Sequence, residues 1–93
     1  MLDEVGRIVV KIAGRDAGFK GVVVNSLGGG RVLVTGPPGL TGLRRRAINV
    51  MHILPTPYRV EIKRDASDEE VVKALESSGL IDYVKKRAEV SRW

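Results

Sequence analysis

From Gly14 to Gly21 the chain reads Gly14-Arg15-Asp16-Ala17-Gly18-Phe19-Lys20-Gly21, three glycines at spacings of four and three with two cations between them. Glycine supplies backbone conformations with positive φ and lets another backbone come close, so the segment reads as a tight basic turn. Downstream, behind Gly42, stands the triplet Arg44-Arg45-Arg46. A guanidinium binds phosphate through a planar fork of donors and is more weakly hydrated than an ammonium. The chemistry these residues suit is neutralisation of a polyanion, through phosphate and sugar contacts that position a protein without reading sequence. Arg7, Lys11, Arg15, Lys20, Arg44, Arg45 and Arg46 are the candidate cations, with His52 as a polar tip near a strand end.

Other chemistries are disfavoured by what accompanies these residues. The Gly-Lys-Ser/Thr series of a phosphate-binding P-loop does not follow Gly14. With no cysteine and a single histidine there is no disulfide framework, and His52 has no evident partner for a metal site or a nucleophile to activate. Asp68, Glu69 and Glu70 are accounted for by helix capping. We therefore expect no enzyme activity, no cofactor, no metal and no small-molecule substrate. Four aromatic residues are too few for the groove that binds proline-rich peptides. Phe19, at the loop tip, is the one candidate for stacking or for insertion into a neighbour, and Trp93 is expected to pack on the barrel or on a neighbouring protein.

Ninety-three residues make one modest core. No stretch approaches the roughly 20 apolar residues of a membrane span, and Asp3 and Glu4 near the start are unlike a signal peptide. A soluble, cytoplasmic protein is the expectation. The charge is uneven: residues 1–64 hold eleven Lys and Arg against four Asp and Glu, and residues 65–93 hold five against seven. This split puts a polyanion-binding surface on the first part and a solvated or protein-facing surface on the second.

The elements that must position the cations follow from patterning. Val5–Ile12 alternates, with Ile8, Val10 and Ile12 expected on one face and Arg7, Val9 and Lys11 on the other. Gly21–Leu27 and Arg31–Thr35 flank Gly28-Gly29-Gly30 and form a hairpin. Leu43–Leu54 can be extended, with the arginines placed before the regular strand or set outward by a bulge. Pro55-Thr56-Pro57 is expected to break the chain before a closing strand, Tyr58–Lys63. The predicted fold is mainly β: a small barrel of about five strands over residues 1–64, with a helical extension over 65–93 packed on it. Ser67 and Glu70 form a capping-box signature, Gly79 is the expected stop, and Leu80–Arg87 is a second short helix.

The glycine loop followed by Val22-Val23-Val24 resembles a KOW motif, the strand–loop–strand unit of SH3-like barrels in several ribosomal proteins and elongation factors. Glu4-Val5-Gly6-Arg7, Val32 to Pro37, Gly42, the arginine triplet, Asn49, His52, Pro55, Thr56 and Ala66-Ser67-Asp68-Glu69-Glu70 extend the likeness over nearly the whole chain. Together they resemble the L-fourteen-e family of archaeal and eukaryotic large-subunit ribosomal proteins, in its short archaeal form. Gly28-Gly29-Gly30 and Pro38-Gly39 depart from that pattern outside the functional motifs. The resemblance implies a structural component of the large subunit, bound to ribosomal RNA and touching neighbouring ribosomal proteins. The alternative is a stand-alone KOW module that binds a protein of the transcription or translation machinery.

Overall fold

The computed structural model describes residues 4–37 and 39–88. Five strands run β1 (Arg7–Lys11), β2 (Lys20–Gly28), β3 (Arg31–Thr35), β4 (Arg46–Asn49) and β5 (Ile53–Arg59), with a 3-10 turn at Val50–His52 between the last two. Two helices follow, α1 (Asp68–Ser77) and α2 (Ile81–Lys85). All neighbours are antiparallel, in the order β4-β3-β2-β1-β5. Register shifts bend the sheet between Arg7 and Val9 on the β1–β5 ladder and near Asn25 and Gly28 on the β2–β3 ladder. The two edge strands each send a residue, Ile48 and Ile53, into one buried cluster with Val9, Val23, Val32, Val34 and Leu43. The sheet thus curls until its edges share a core, the barrel-like form expected.

The opposite face of β1 and β2 is buried too. Ile8, Val22 and Val24 form a second cluster with Val60, Ala66, Val71, Leu75 and Val84, beneath the helices. This corrects the alternation assigned to β1: Ile8 and Val9 are both fully buried, one on each face, and Val10 is the partly exposed residue. A strand covered on both sides has no polar face, which is why Val22-Val23-Val24 runs unbroken.

Local signals at the turns and helix ends are present as atoms. Gly29 and Gly30, at φ +62° and +77°, make the β2–β3 hairpin turn that only positive φ allows without strain. The Ser67 side chain accepts from the Glu70 N–H and the Glu70 carboxylate accepts from the Ser67 N–H, both at 3.2 Å, so the capping box is complete. At the other end Leu80 N–H donates to the Leu75 carbonyl (2.9 Å) and Gly79 N–H to that of Glu76 (3.1 Å), the paired bonds of a Schellman stop. Leu80 serves as the N-cap of α2, which ends at Lys85 rather than Arg87.

The proline segment departs from the expectation. Pro55-Thr56-Pro57 lies inside β5, and the closing strand is Ile53–Arg59, not Tyr58–Lys63. An edge strand has one side without ladder bonds, so prolines missing an N–H are accommodated there. The Thr56 hydroxyl donates to the Ile8 carbonyl at 2.7 Å, at the point where the β1–β5 register shifts. Leu43–Leu54, expected to be extended, is divided into β4, the 3-10 turn and the start of β5. Only Arg46 of the triplet enters a strand, as its first residue.

Candidate nucleic-acid interface

A cleft of about 480 Å³ opens between the glycine loop and the segment before β4, lined by Lys11, Gly14, Arg15, Asp16, Gly42, Arg44 and Arg46. The loop is closed on itself by Gly18 N–H to the Lys11 carbonyl (2.7 Å) and Lys11 N–H to the Phe19 carbonyl (2.9 Å). Gly14 and Gly18 take φ +78° and +95°, and a Cβ on Gly21 would stand 2.6 Å from Val34 Cγ1. Two glycines therefore serve the turn and the third lets β3 pack close. Across the cleft, Arg46 Nη2 donates to Asp16 Oδ2 at 2.8 Å and fixes one wall against the other. Lys11 is a buried residue of the lining, and its ammonium donates to the Ala13 carbonyl at 2.7 Å.

The structure separates the candidate cations. Arg15 and Arg44 are exposed at the cleft mouth and, among the described residues, make no ion pair. Arg46 keeps about half of its side-chain surface beside Asp16. Arg45 points the other way, donating to the Ala66 carbonyl (2.8 Å) and to Asp68 (3.1 Å), and so ties the triplet to the start of α1. Arg7 is held between the Thr56 carbonyl and Glu4. His52 is exposed on the 3-10 turn. Its carbonyl accepts from Ile12 N–H at 2.8 Å, which sets it at the root of the glycine loop and outside the cleft lining.

Lys20 is the cation whose position differs most from a loop-tip phosphate contact. It is 6% exposed. Its ammonium donates to the carbonyls of Tyr83 (2.9 Å) and Lys86 (3.0 Å) and lies 4.0 Å from the centre of the Tyr83 ring. Burial first, and the nearby Lys86 charge second, hold its pKa below the ordinary lysine value. It is a pin between β2 and the end of α2. The latch continues through Ala88 N–H to the Gly18 carbonyl (2.8 Å) and Arg87 Nε to that of Ala17 (3.1 Å). Phe19 is half-buried against the barrel core, with the Arg87 guanidinium 4.8 Å from its ring centre. Both faces of the loop tip are thus engaged within the chain. Trp93 lies outside the described residues.

Asp16 escaped the sequence reading, and so did the internal engagement of Lys20. Asp16 was one acid in a basic loop, with no local sign that it would meet a residue thirty positions on. Lys20 did carry a sign, since only Gly21 separates it from the doubly buried valine run and it belongs to the ladder rather than to the tip.

No family model matches the chain. Curated relatives do. Over 84 residues it is 55% identical to the large ribosomal subunit protein eL14 of Pyrobaculum arsenaticum and 57% identical to that of Pyrobaculum neutrophilum, covering 90% of this chain and 82% of each relative. To eL14 of Saccharolobus solfataricus it is 48% identical over 87 residues, covering 94% of this chain and 91% of that one. The chain belongs to the eL14 family. An alignment of that extent takes in the glycine loop, the arginine triplet and α1, so the cleft and the helix that braces it both fall within the eL14 likeness.

Proposed function

We propose that this protein is a structural constituent of the large ribosomal subunit in the cytoplasm, and that it docks on ribosomal RNA at the mouth of the cationic cleft. The family supports the first part. The observation that supports the second is that Arg15, Arg44 and Arg46 converge on one concavity from two segments braced by the Arg46–Asp16 pair. The forks of all three match phosphate oxygens, and the Asp16 pair holds Arg46 in place before a phosphate arrives. The work is charge neutralisation and shape, which lets RNA helices pack closely, and no catalytic step is assigned. Lys11 lends its charge from the lining of the cleft, His52 contributes from the adjacent turn, and Arg7, Lys20 and Arg45 hold the frame.

Cofractionation with salt-washed large subunits tests the assignment to the particle. For the site, Arg15→Ala, Arg44→Ala and Arg46→Ala together should weaken association with ribosomal RNA fragments, while Lys73→Ala, Lys85→Ala and Lys86→Ala together should not. An equal loss from the second set would move the RNA face onto the helices.

A further inference from the structure

The helical side carries a second concavity of different chemistry. A groove of about 510 Å³ runs along α1, lined by Pro37, Asp68, Glu69, Val72, Lys73 and Glu76. Positions 69, 72, 73 and 76 form one i, i+3, i+4, i+7 stripe of the helix, opposite the core residues Val71 and Leu75. Pro37 and half-buried Val72 give it an apolar floor. Glu69 and Glu76 are exposed and, among the described residues, make no ion pair, whereas Asp68 is already engaged by Arg45 and Thr35. In all, α1 displays four carboxylates against the single ammonium of Lys73. Such a surface repels phosphate, and it starts where Arg45 divides it from the cationic cleft.

We propose that this groove is a docking site for an extended cationic segment of a neighbouring protein. The charge complementarity selects Lys or Arg, and the apolar floor selects a proline or aliphatic residue between them. Glu69 and Glu76 are two helical turns apart on one face, about 10 Å at 1.5 Å per residue, a span that a chain in the polyproline II conformation covers in three residues at about 3.1 Å each, with its first and fourth side chains on the same side. The occupant therefore carries two cations three positions apart around an apolar pair. This surface is separate from the RNA cleft, and its test does not depend on that reading.

The first probe is the blocked peptide Gly-Lys-Pro-Val-Lys-Gly, titrated by NMR into the full-length protein at low salt. Binding with a Kd below about 1 mM, shifting the amides of residues 68–76, is expected. Glu69→Gln with Glu76→Gln should weaken it about threefold to tenfold, and Glu61→Gln, at a carboxylate remote from the groove lining, should not. Absence of binding, or binding indifferent to Glu69 and Glu76, overturns the proposal. Because the chain has no cysteine, Lys73→Cys carrying a photo-crosslinker also reports from the assembled particle. A crosslink to a protein segment with the paired cations supports the proposal, and a crosslink to RNA or to a segment without them overturns it.

Discussion

The Lys20 ammonium donates to two carbonyls at the end of α2, whereas the Arg44 guanidinium stands exposed at the mouth of the cleft. The two cations should therefore respond oppositely to substitution. Lys20→Met keeps the aliphatic stem and leaves two partly buried acceptors without their charged donor. It should lower unfolding stability by about 1–3 kcal/mol and leave the salt dependence of RNA binding nearly unchanged. Arg44→Ala should alter stability by no more than about 0.5 kcal/mol and flatten the salt dependence by about one unit. Urea unfolding and binding titrations at several salt concentrations measure both. The pH dependence of Lys20 has a definite sign. Its folded pKa lies below the unfolded one, so as pH rises the folded protein sheds that proton first. The folding penalty of the charged form is complete below the folded pKa and is relieved as pH climbs towards the ordinary lysine value. Lys20→Met should lack that rise.

At the scale of the element, α1 starts at the completed Ser67–Glu70 capping box, and Arg45 grips the same corner through Ala66 and Asp68. Ser67→Ala should destabilise the fold by about 0.5–2 kcal/mol without lowering RNA affinity, since the cap faces neither wall of the cleft. The Glu70 carboxyl is held below the ordinary glutamate range, chiefly by the Ser67 backbone N–H and then by the Ser67 side chain. A depressed carboxyl pKa gives stability that is present above the unfolded value and lost as pH falls through the folded one. Glu70→Gln should therefore be less acid-sensitive than the parent in urea unfolding followed from pH 6 downwards to about pH 3. An unchanged acid limb would show that the capping carboxylate does not carry this dependence.

For the whole molecule, charge is sorted by surface: cations converge on the cleft, and carboxylates line α1 on the other side of Arg45. Each neutralised phosphate releases condensed counterions, so affinity should fall with salt in proportion to the phosphates held. Arg15 and Arg44, with the half-exposed Arg46 beside Asp16, at about 0.7–0.9 per contact give a log–log slope of about −2 to −3. That is shallower than a count of every candidate cation suggests, because Arg7, Lys20 and Arg45 are engaged inside the fold. Phe19→Leu should leave the slope unchanged, since its ring packs on the barrel core beneath Arg87. A salt-independent affinity would refute electrostatic docking. Steady binding across single-base variants of one folded RNA is expected, because phosphate contacts carry no base information.

What the sequence determined by itself is whatever depends on neighbours within a few positions. The capping box, the Gly79 stop, the Gly29-Gly30 turn and the strand from Arg31 to Thr35 are such features, each set by propensity, φ preference or hydrogen bonds across one turn. The spaced glycine and arginine motifs also pointed to the family that the eL14 relatives establish. Tertiary structure alone decided which charges are free. Lys20 meets its acceptors 63 and 66 residues away, Arg45 meets Asp68 across 23, and Arg46 meets Asp16 across 30. The same holds for the second buried face of β1 and for the proline segment, which is a strand because it lies at the edge against β1. Periodicity records that a side chain alternates, not what covers it, and a cation's charge is the same in sequence whether a phosphate or a backbone carbonyl will face it.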